Sequence, residues 1–167
     1  ATTSGIGQWN FTANAWENPI TIEDGLPDSF IGDVYWASNA LYVASLSGMT
    51  QYIPTTGAST TLKQSDGLLG NSVASFGSYT TTNQDTWLIA VHDAGLGERP
   101  GLSVVNISLN TVVSTHRFDQ LPSNIVTSVT ADYGGVHIAT DSGSLTHYNG
   151  LTDQFVAGIS RADVPSW

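Results

Sequence analysis

A short turn motif recurs along this chain, and the repetition constrains the fold more than any other feature. Asp24-Gly25-Leu26-Pro27-Asp28-Ser29 returns as Asp66-Gly67-Leu68-Leu69-Gly70-Asn71-Ser72, and again as Asp119-Gln120-Leu121-Pro122-Ser123-Asn124. A degraded copy, Ala162-Asp163-Val164-Pro165-Ser166-Trp167, closes the sequence. The starts fall roughly 40 to 55 residues apart, the size of one supersecondary unit in a repeat array. A second marker runs out of phase with the first. Ala44-Ser45-Leu46-Ser47-Gly48 matches Ala139-Thr140-Asp141-Ser142-Gly143, and Ala1-Thr2-Thr3-Ser4-Gly5 matches both. After each comes an apolar or aromatic residue followed by a polar one: Trp9-Asn10, Val105-Asn106 and Tyr148-Asn149, with Tyr52-Ile53 the exception.

Each period holds four short strand-like runs. In the first full repeat they are 30–36, 40–45, 49–53 and 59–63; in the third they are 125–131, 136–140, 145–148 and 154–157. Alternating or continuous apolar residues, β-branched enrichment and Gly/Asn/Asp/Ser punctuation all favour strands. No window offers a capped helix of three turns. Four strands per repeat is the content of a β-propeller blade.

In order, these motifs resemble the two-component-regulator β-propeller repeat. Asp24 to Ser29 and Asp119 to Asn124 match its opening best, and Gly134-Gly135-Val136-His137-Ile138-Ala139-Thr140 matches its middle. That family usually carries Trp where this chain has His137; Tyr42 and Trp87 are the corresponding positions. The resemblance implies an all-β protein built of four-stranded antiparallel blades in an incomplete ring. The run after each Asp-Gly-Leu-Pro is then the innermost strand, and Gly25 and Gly67 take turn conformations costly for other residues.

The period divides the chain as follows. Residues 1–23 are the carboxyl-side half of a preceding blade, 24–65 a blade and 66–118 a blade with an inserted loop. Residues 119–161 are a blade, and 162–167 begin another repeat. Both ends therefore fall inside a repeat. The expectation is a piece excised from a longer protein, with assembly of partial rings across unpaired edges as the alternative. The expected partners are accordingly the remaining blades of a longer chain or another copy of this one.

Composition narrows the function classes. The chain of 167 residues carries 14 acidic side chains against four Lys and Arg, a net charge of −10. A binder of phosphate backbones needs a cationic footprint, so nucleic acid is excluded as a partner. No apolar run is long enough to span a membrane as a helix. Cys is absent, which removes disulfides and Cys-ligated metal. Abundant Ser and Thr with one Lys suit an extracellular, cell-surface or periplasmic protein.

Candidate site residues cluster at one end of the predicted blades. The second repeat is longer than its neighbours, partly at 80–85 and mostly at 92–100. The second insert brings His92, Asp93, Glu98 and Arg99 close together in a chain otherwise short of charge. Connections between fourth and first strands emerge on the same end as those between second and third. The insert therefore shares a face with Asp24, Asp66 and Asp119, and these seven residues are the predicted ligand-binding set. The alternative for the three aspartates is capping of their own turns.

No metal site is expected. A hairpin centred between Ser142 and Gly143 sets Ile138 opposite His147, which points His137 and His147 to opposite faces. A one-residue shift would pair them directly, but a third ligand is not evident in the sequence. His116 reads as a solitary residue of an outer strand. Trp36 and Trp87 are assigned to inner strands and blade-to-blade packing, and Trp9 and Trp16 to an exposed half-blade. Sequons occur at Asn10 and Asn106. No cofactor motif or phosphate-cradling loop is present.

The leading expectation is a non-enzymatic extracytoplasmic propeller segment for ligand sensing or protein interaction, suited to a small neutral or carbohydrate ligand. Relatives implied by the resemblance serve as periplasmic sensor regions of signalling proteins. One alternative is part of a propeller lyase or glycosidase, with His92, Asp93 and Glu98 at the channel mouth. Another is a structural repeat of a large surface protein.

Overall fold

Strand pairing follows the repeat. The computed structural model describes residues 5–92, 100–117, 125–132 and 134–159. Strands β1 (Ile6–Asn10) and β2 (Ala15–Ile20) form a two-stranded sheet. The first full blade is β3 (Ile31–Ala37), β4 (Ala40–Ser45), β5 (Gly48–Ile53) and β6 (Ala58–Leu62). The second is β7 (Ser75–Thr80), β8 (Thr86–His92), β9 (Gly101–Asn106) and β10 (Thr111–Arg117). The third is β11 (Val126–Ala131), β12 (Gly135–Thr140), β13 (Leu145–Asn149) and β14 (Gln154–Ile159). Within each sheet the strands meander antiparallel in chain order. The described sheets close no ring.

The turns explain the repeat markers. Asn106 and Asn149 end the third strands of their blades and Asn10 ends β1, and each folds its side chain back on the following turn. The Oδ1 of Asn106 accepts from the Ser108 and Leu109 amides, and that of Asn149 from Leu151 and Thr152. The Asn10 Oδ1 does the same with Thr12 and Ala13. This side-chain turn replaces backbone bonds that the chain reversal removes. A left-handed residue then immediately precedes the next strand: Asn14, Asn110 and Asp153 lie at φ 52°, 50° and 56°. Where Ile53 stands instead of Asn, Gly57 supplies the positive φ, at 71°. Between fourth and first strands, Gly25 at φ 96° and Gly67 at φ 106° follow single 3-10 turns.

Strand alternation builds three successive cores, one between each pair of sheets. Ile6 and Ile20 of the two-stranded sheet meet Val43 and Tyr52 of the first blade. The other face of that blade, with Tyr42, Ala44 and Met49, packs on Phe76, Leu88, Ala90 and Val105 of the second. Its far face, with Ile89, Val91, Leu102 and Val104, packs on Val136, Ile138 and Tyr148 of the third. Tyr42, Leu88, Ile89, Ile138 and Tyr148 are all fully buried, each contributing about 1.5–3 kcal/mol of apolar burial. Strands β3, β7 and β11 lie beside one another as the inner edge of the arc. Bulges interrupt the pairing of β3 after Ile31 and of β11 after Val126. The first bulge aims Asp33 across to the second blade. There its Oδ2 accepts from the Phe76 amide at 2.8 Å and the Ser75 hydroxyl at 3.1 Å.

Candidate functional site

Three of the seven predicted binding residues are described, and each is already engaged. Asp24 caps its own turn: its Oδ2 accepts from the Thr21 amide at 2.8 Å and the Thr21 hydroxyl at 3.1 Å. Asp66 repeats the device on the Lys63 amide at 2.9 Å. Both behave as the turn-capping alternative anticipates. His92 does not sit on an insert. It is the last residue of β8 and is fully buried. Its Nδ1 donates to the Ser72 carbonyl at 2.9 Å, and its Nε2 accepts from the Ser103 hydroxyl at 2.8 Å. Ser103 Oγ in turn accepts from the Leu69 amide at 3.0 Å. The carbonyl partner requires the Nδ1–H tautomer. His92 and Ser103 thereby fasten both ends of the 69–72 loop. Asp93, Glu98, Arg99 and Asp119 lie outside the described residues.

The loop that His92 anchors borders a cleft between the first and second blades. Phe30, Ile31, Gly32, Ser45, Leu46, Ser72, Val73 and Ala74 line a space of about 290 Å³. Phe30 and Leu46 are the large exposed apolar residues among them. The Val73 amide donates to the Ser45 carbonyl at 2.9 Å, which holds the two walls together. The Ser47 hydroxyl donates to Asp28 Oδ2 at 2.9 Å, joining the two loop types of the first blade. Gly32 is required here, because a Cβ would fall 2.6 Å from the Ala74 carbonyl oxygen. Gly32 and Ala74 also border a second, more polar hollow of about 340 Å³. That hollow continues along the inner strands past Asp33, Ser75, Thr127 and Ser128.

His116 is not solitary. It bridges the second and third blades, with Nε2 at 2.8 Å from Asp153 Oδ1. The Ser114 hydroxyl, at 3.0 Å, and the Tyr148 hydroxyl donate to the same oxygen. The ring also packs against Tyr148 and Phe155, with centroids 5.3 and 5.9 Å away. Burial opposes the charge of Asp153, but these three donors outweigh it and hold the carboxyl below its usual range. Burial, then the bond to Asp153, pushes the Tyr148 phenol far up.

The opposite-face expectation for the third blade is overturned. His137 pairs directly with His147 across β12 and β13, and the rings stack at 4.5 Å. Asp132, just before β12, brings a third ligand-type group to the pair, the one sequence reasoning did not find. Its Oδ2 lies 2.8 Å from His137 Nε2 and 3.2 Å from His147 Nε2. Burial works against the Asp132 charge, but the two imidazoles and the Gly134 amide outweigh it and lower its pKa.

Two of the tryptophans depart from expectation. Trp36 lies on the inner strand β3 but is 58% exposed rather than packed between blades. Trp87 lies on β8, the second strand, where it packs edge-to-face on Tyr79 at 5.9 Å. Trp9 and Trp16 are exposed, as expected, and are cross-strand partners with ring centroids at 5.3 Å.

No protein-family model and no curated protein sequence matches this chain. Solved structures do match. The extracellular domain of BT4673 from B. thetaiotaomicron, assigned as a hybrid two component system, aligns with TM-score 0.64 and 20% identity. The alignment covers 93% of this chain and 19% of that one. BamB from Moraxella catarrhalis aligns with TM-score 0.57 and 15% identity, over 77% of this chain and 34% of BamB. PorZ of Porphyromonas gingivalis, a surface component of the type-IX secretion system, aligns with TM-score 0.54 and 12% identity. That match covers 86% of this chain and 18% of PorZ. The chain thus spans between about a fifth and a third of the length of these structures. With sheets stacked face to face and first strands innermost, the likeness identifies the chain as a β-propeller segment of consecutive four-stranded blades.

Proposed function

We propose that this chain is a non-enzymatic segment of an extracytoplasmic β-propeller that binds a small neutral polar or carbohydrate-derived ligand. The observation that carries the reading is the cleft between the first and second blades. It opens at the end that bears the 26–30, 46–47 and 68–72 loops, and it runs on into the hollow along the inner strands. A largely apolar cleft that runs on into a hollow bearing the exposed Thr127 and Ser128 suits apolar contact and hydrogen bonding to a neutral ligand. The net charge of −10 disfavours phosphorylated or sulfated ones. Fold likeness to the extracellular domain of an assigned hybrid two component system, and to a bacterial surface component, supports a place outside the cytoplasm.

The test is titration of the labelled chain with a panel of neutral oligosaccharides, read by amide NMR. Shifts are expected at Gly32, Leu46, Ser72 and Ala74. Leu46→Glu should weaken the binding tenfold or more while leaving the melting temperature within about 1 °C. A panel that moves none of these amides, or equal affinity in the variant, would overturn the reading.

A further inference from the structure

The outward face of the third blade carries a group of side chains that neither the fold nor the cleft uses. Val136, Ile138 and Tyr148 point inward to the second blade. His137 and His147 therefore point the other way, alongside Leu145 and Val156, which are 40% and 47% exposed. We propose that Asp132, His137 and His147 form a binding site for a divalent transition metal, zinc first among them, with solvent at the remaining position.

Four observations support the assignment. First, the donor set is two imidazole nitrogens and one carboxylate oxygen, a combination typical of open zinc sites with three protein ligands. Second, the ligand atoms all lie within 4.8 Å of one another. Tetrahedral ligands at zinc distances sit about 3.4 Å apart. The 2.8 and 3.2 Å separations from the carboxylate to the two Nε2 atoms need only slight expansion to admit an ion. Third, His147 Nε2 is buried and makes no hydrogen bond, although the carboxylate is close. A buried ring nitrogen that makes no hydrogen bond costs free energy that coordination would recover. Fourth, Gly135 keeps the space clear. A Cβ there would lie 3.0 Å from His147 Nε2 and would collide with the Tyr148 carbonyl.

The corresponding positions in the other blades show that this composition is not demanded by the fold. The same cross-strand pair is Tyr42 with Gln51 in the first blade and Ile89 with Val104 in the second. Tyr42 and Gln51 bond to each other at 2.9 Å, and Ile89 and Val104 join an apolar core. In the third blade the pair is two histidines with a carboxylate added from the preceding turn. The frame is rigid, because both histidines are held in register by the β12–β13 ladder. The Gly134 amide donates to the other oxygen of Asp132 at 3.1 Å, which orients the carboxylate.

The proposal is independent of the cleft reading, and its test uses metal alone. The untagged chain is titrated with Zn²⁺ in competition with a chromophoric chelator, then with Co²⁺ for its visible spectrum. One equivalent should bind, with the intense visible bands of a four-coordinate Co²⁺ complex. Zinc should shift the ring resonances of His137 and His147 and leave those of His92 in place. His137→Ala, His147→Ala and Asp132→Asn should each weaken binding about tenfold or more. Should an alanine variant misfold by circular dichroism, His137→Gln and Asp132→Asn carry the test. The proposal fails if the wild-type chain takes up no more zinc than the His137→Gln/Asp132→Asn double variant. It also fails if His116→Ala, in place of these, abolishes uptake.

Discussion

His92→Ala should destabilise the second blade severely, although the residue lies at the edge of what the sequence presents as a surface insert. The side chain is fully buried and both ring nitrogens are bonded. Removing it leaves the Ser72 carbonyl and the Ser103 hydroxyl without those partners, at about 1–3 kcal/mol for each buried polar group. The vacated ring volume adds a cavity cost. A total of roughly 3–5 kcal/mol follows. At about 2–4 °C per kcal/mol for a chain of this size, the melting temperature should fall by roughly 6–20 °C. His92→Asn retains a donor near the Nδ1 position and should recover about half of the loss. Coupling with Ser103→Ala tests the chain of bonds: the double variant should cost clearly less than the sum of the two. Urea unfolding supplies the free energies, and hydrogen exchange at the Leu69 and Val73 amides reports the loop directly. A His92→Ala variant within about 0.5 kcal/mol of wild type, with unchanged exchange at Leu69, would refute the reasoning.

Gly25→Ala should cost more than Gly67→Ala in urea unfolding. Both glycines hold positive φ, worth about 1–2 kcal/mol to any L residue, but only at Gly25 would a Cβ also fall 2.3 Å from the Ser59 hydroxyl. Asp153 has a depressed pKa in the folded state, so its stabilisation is present above the unfolded value near pH 4 and is lost as pH falls through the folded one. Asp153→Asn should therefore flatten the acid limb of a melting-temperature profile. At the alkaline end, burial and then the Asp153 charge push Tyr79 up to about 12. The unfolded chain releases that proton near pH 10, so stability should decline from about pH 10 to pH 12, and less steeply in Tyr79→Phe.

The parts of the fold legible in the sequence are those fixed by local chemistry. Strand periods, the Asn10, Asn106 and Asn149 turns, and the glycines at 25 and 67 all depend on residues within a few positions of each other. The misplaced features depend on contacts between distant segments or on a single residue of loop length. The hairpin after Thr140 has a three-residue loop, closed by Gly143 at φ 78°. Its counterpart after Ser45 has two. An even-numbered loop sends His137 and His147 to opposite faces, whereas the odd one pairs them. His92 looks like a loop residue because Asp, Gly and Pro follow it. Its burial comes from Ser72 and Ser103, which only the assembled sheet brings alongside. The same holds for His116, whose partner Asp153 belongs to the next blade.

The three cross-strand pairs at the centre of the blades bear on how the arc can be extended. The first blade offers its neighbour Tyr42 with Gln51, already bonded to each other, and the second offers Ile89 with Val104. Ile89 and Val104 ask only for an apolar cover, and Tyr42, which accepts from Gln51, needs from its neighbour only the Ile107 carbonyl. The third blade offers His137, His147 and the charge of Asp132. A blade laid over that face as the second is laid over the first would bury a carboxylate beside two imidazoles. Burying an ionised group without compensation costs several kcal/mol, more than one apolar side chain returns on burial. Such a neighbour must therefore bring its own donors, leave the face wet, or trap a cation whose charge offsets the carboxylate. The surface that joins this blade to anything beyond it is thus chemically unlike the two interfaces before it.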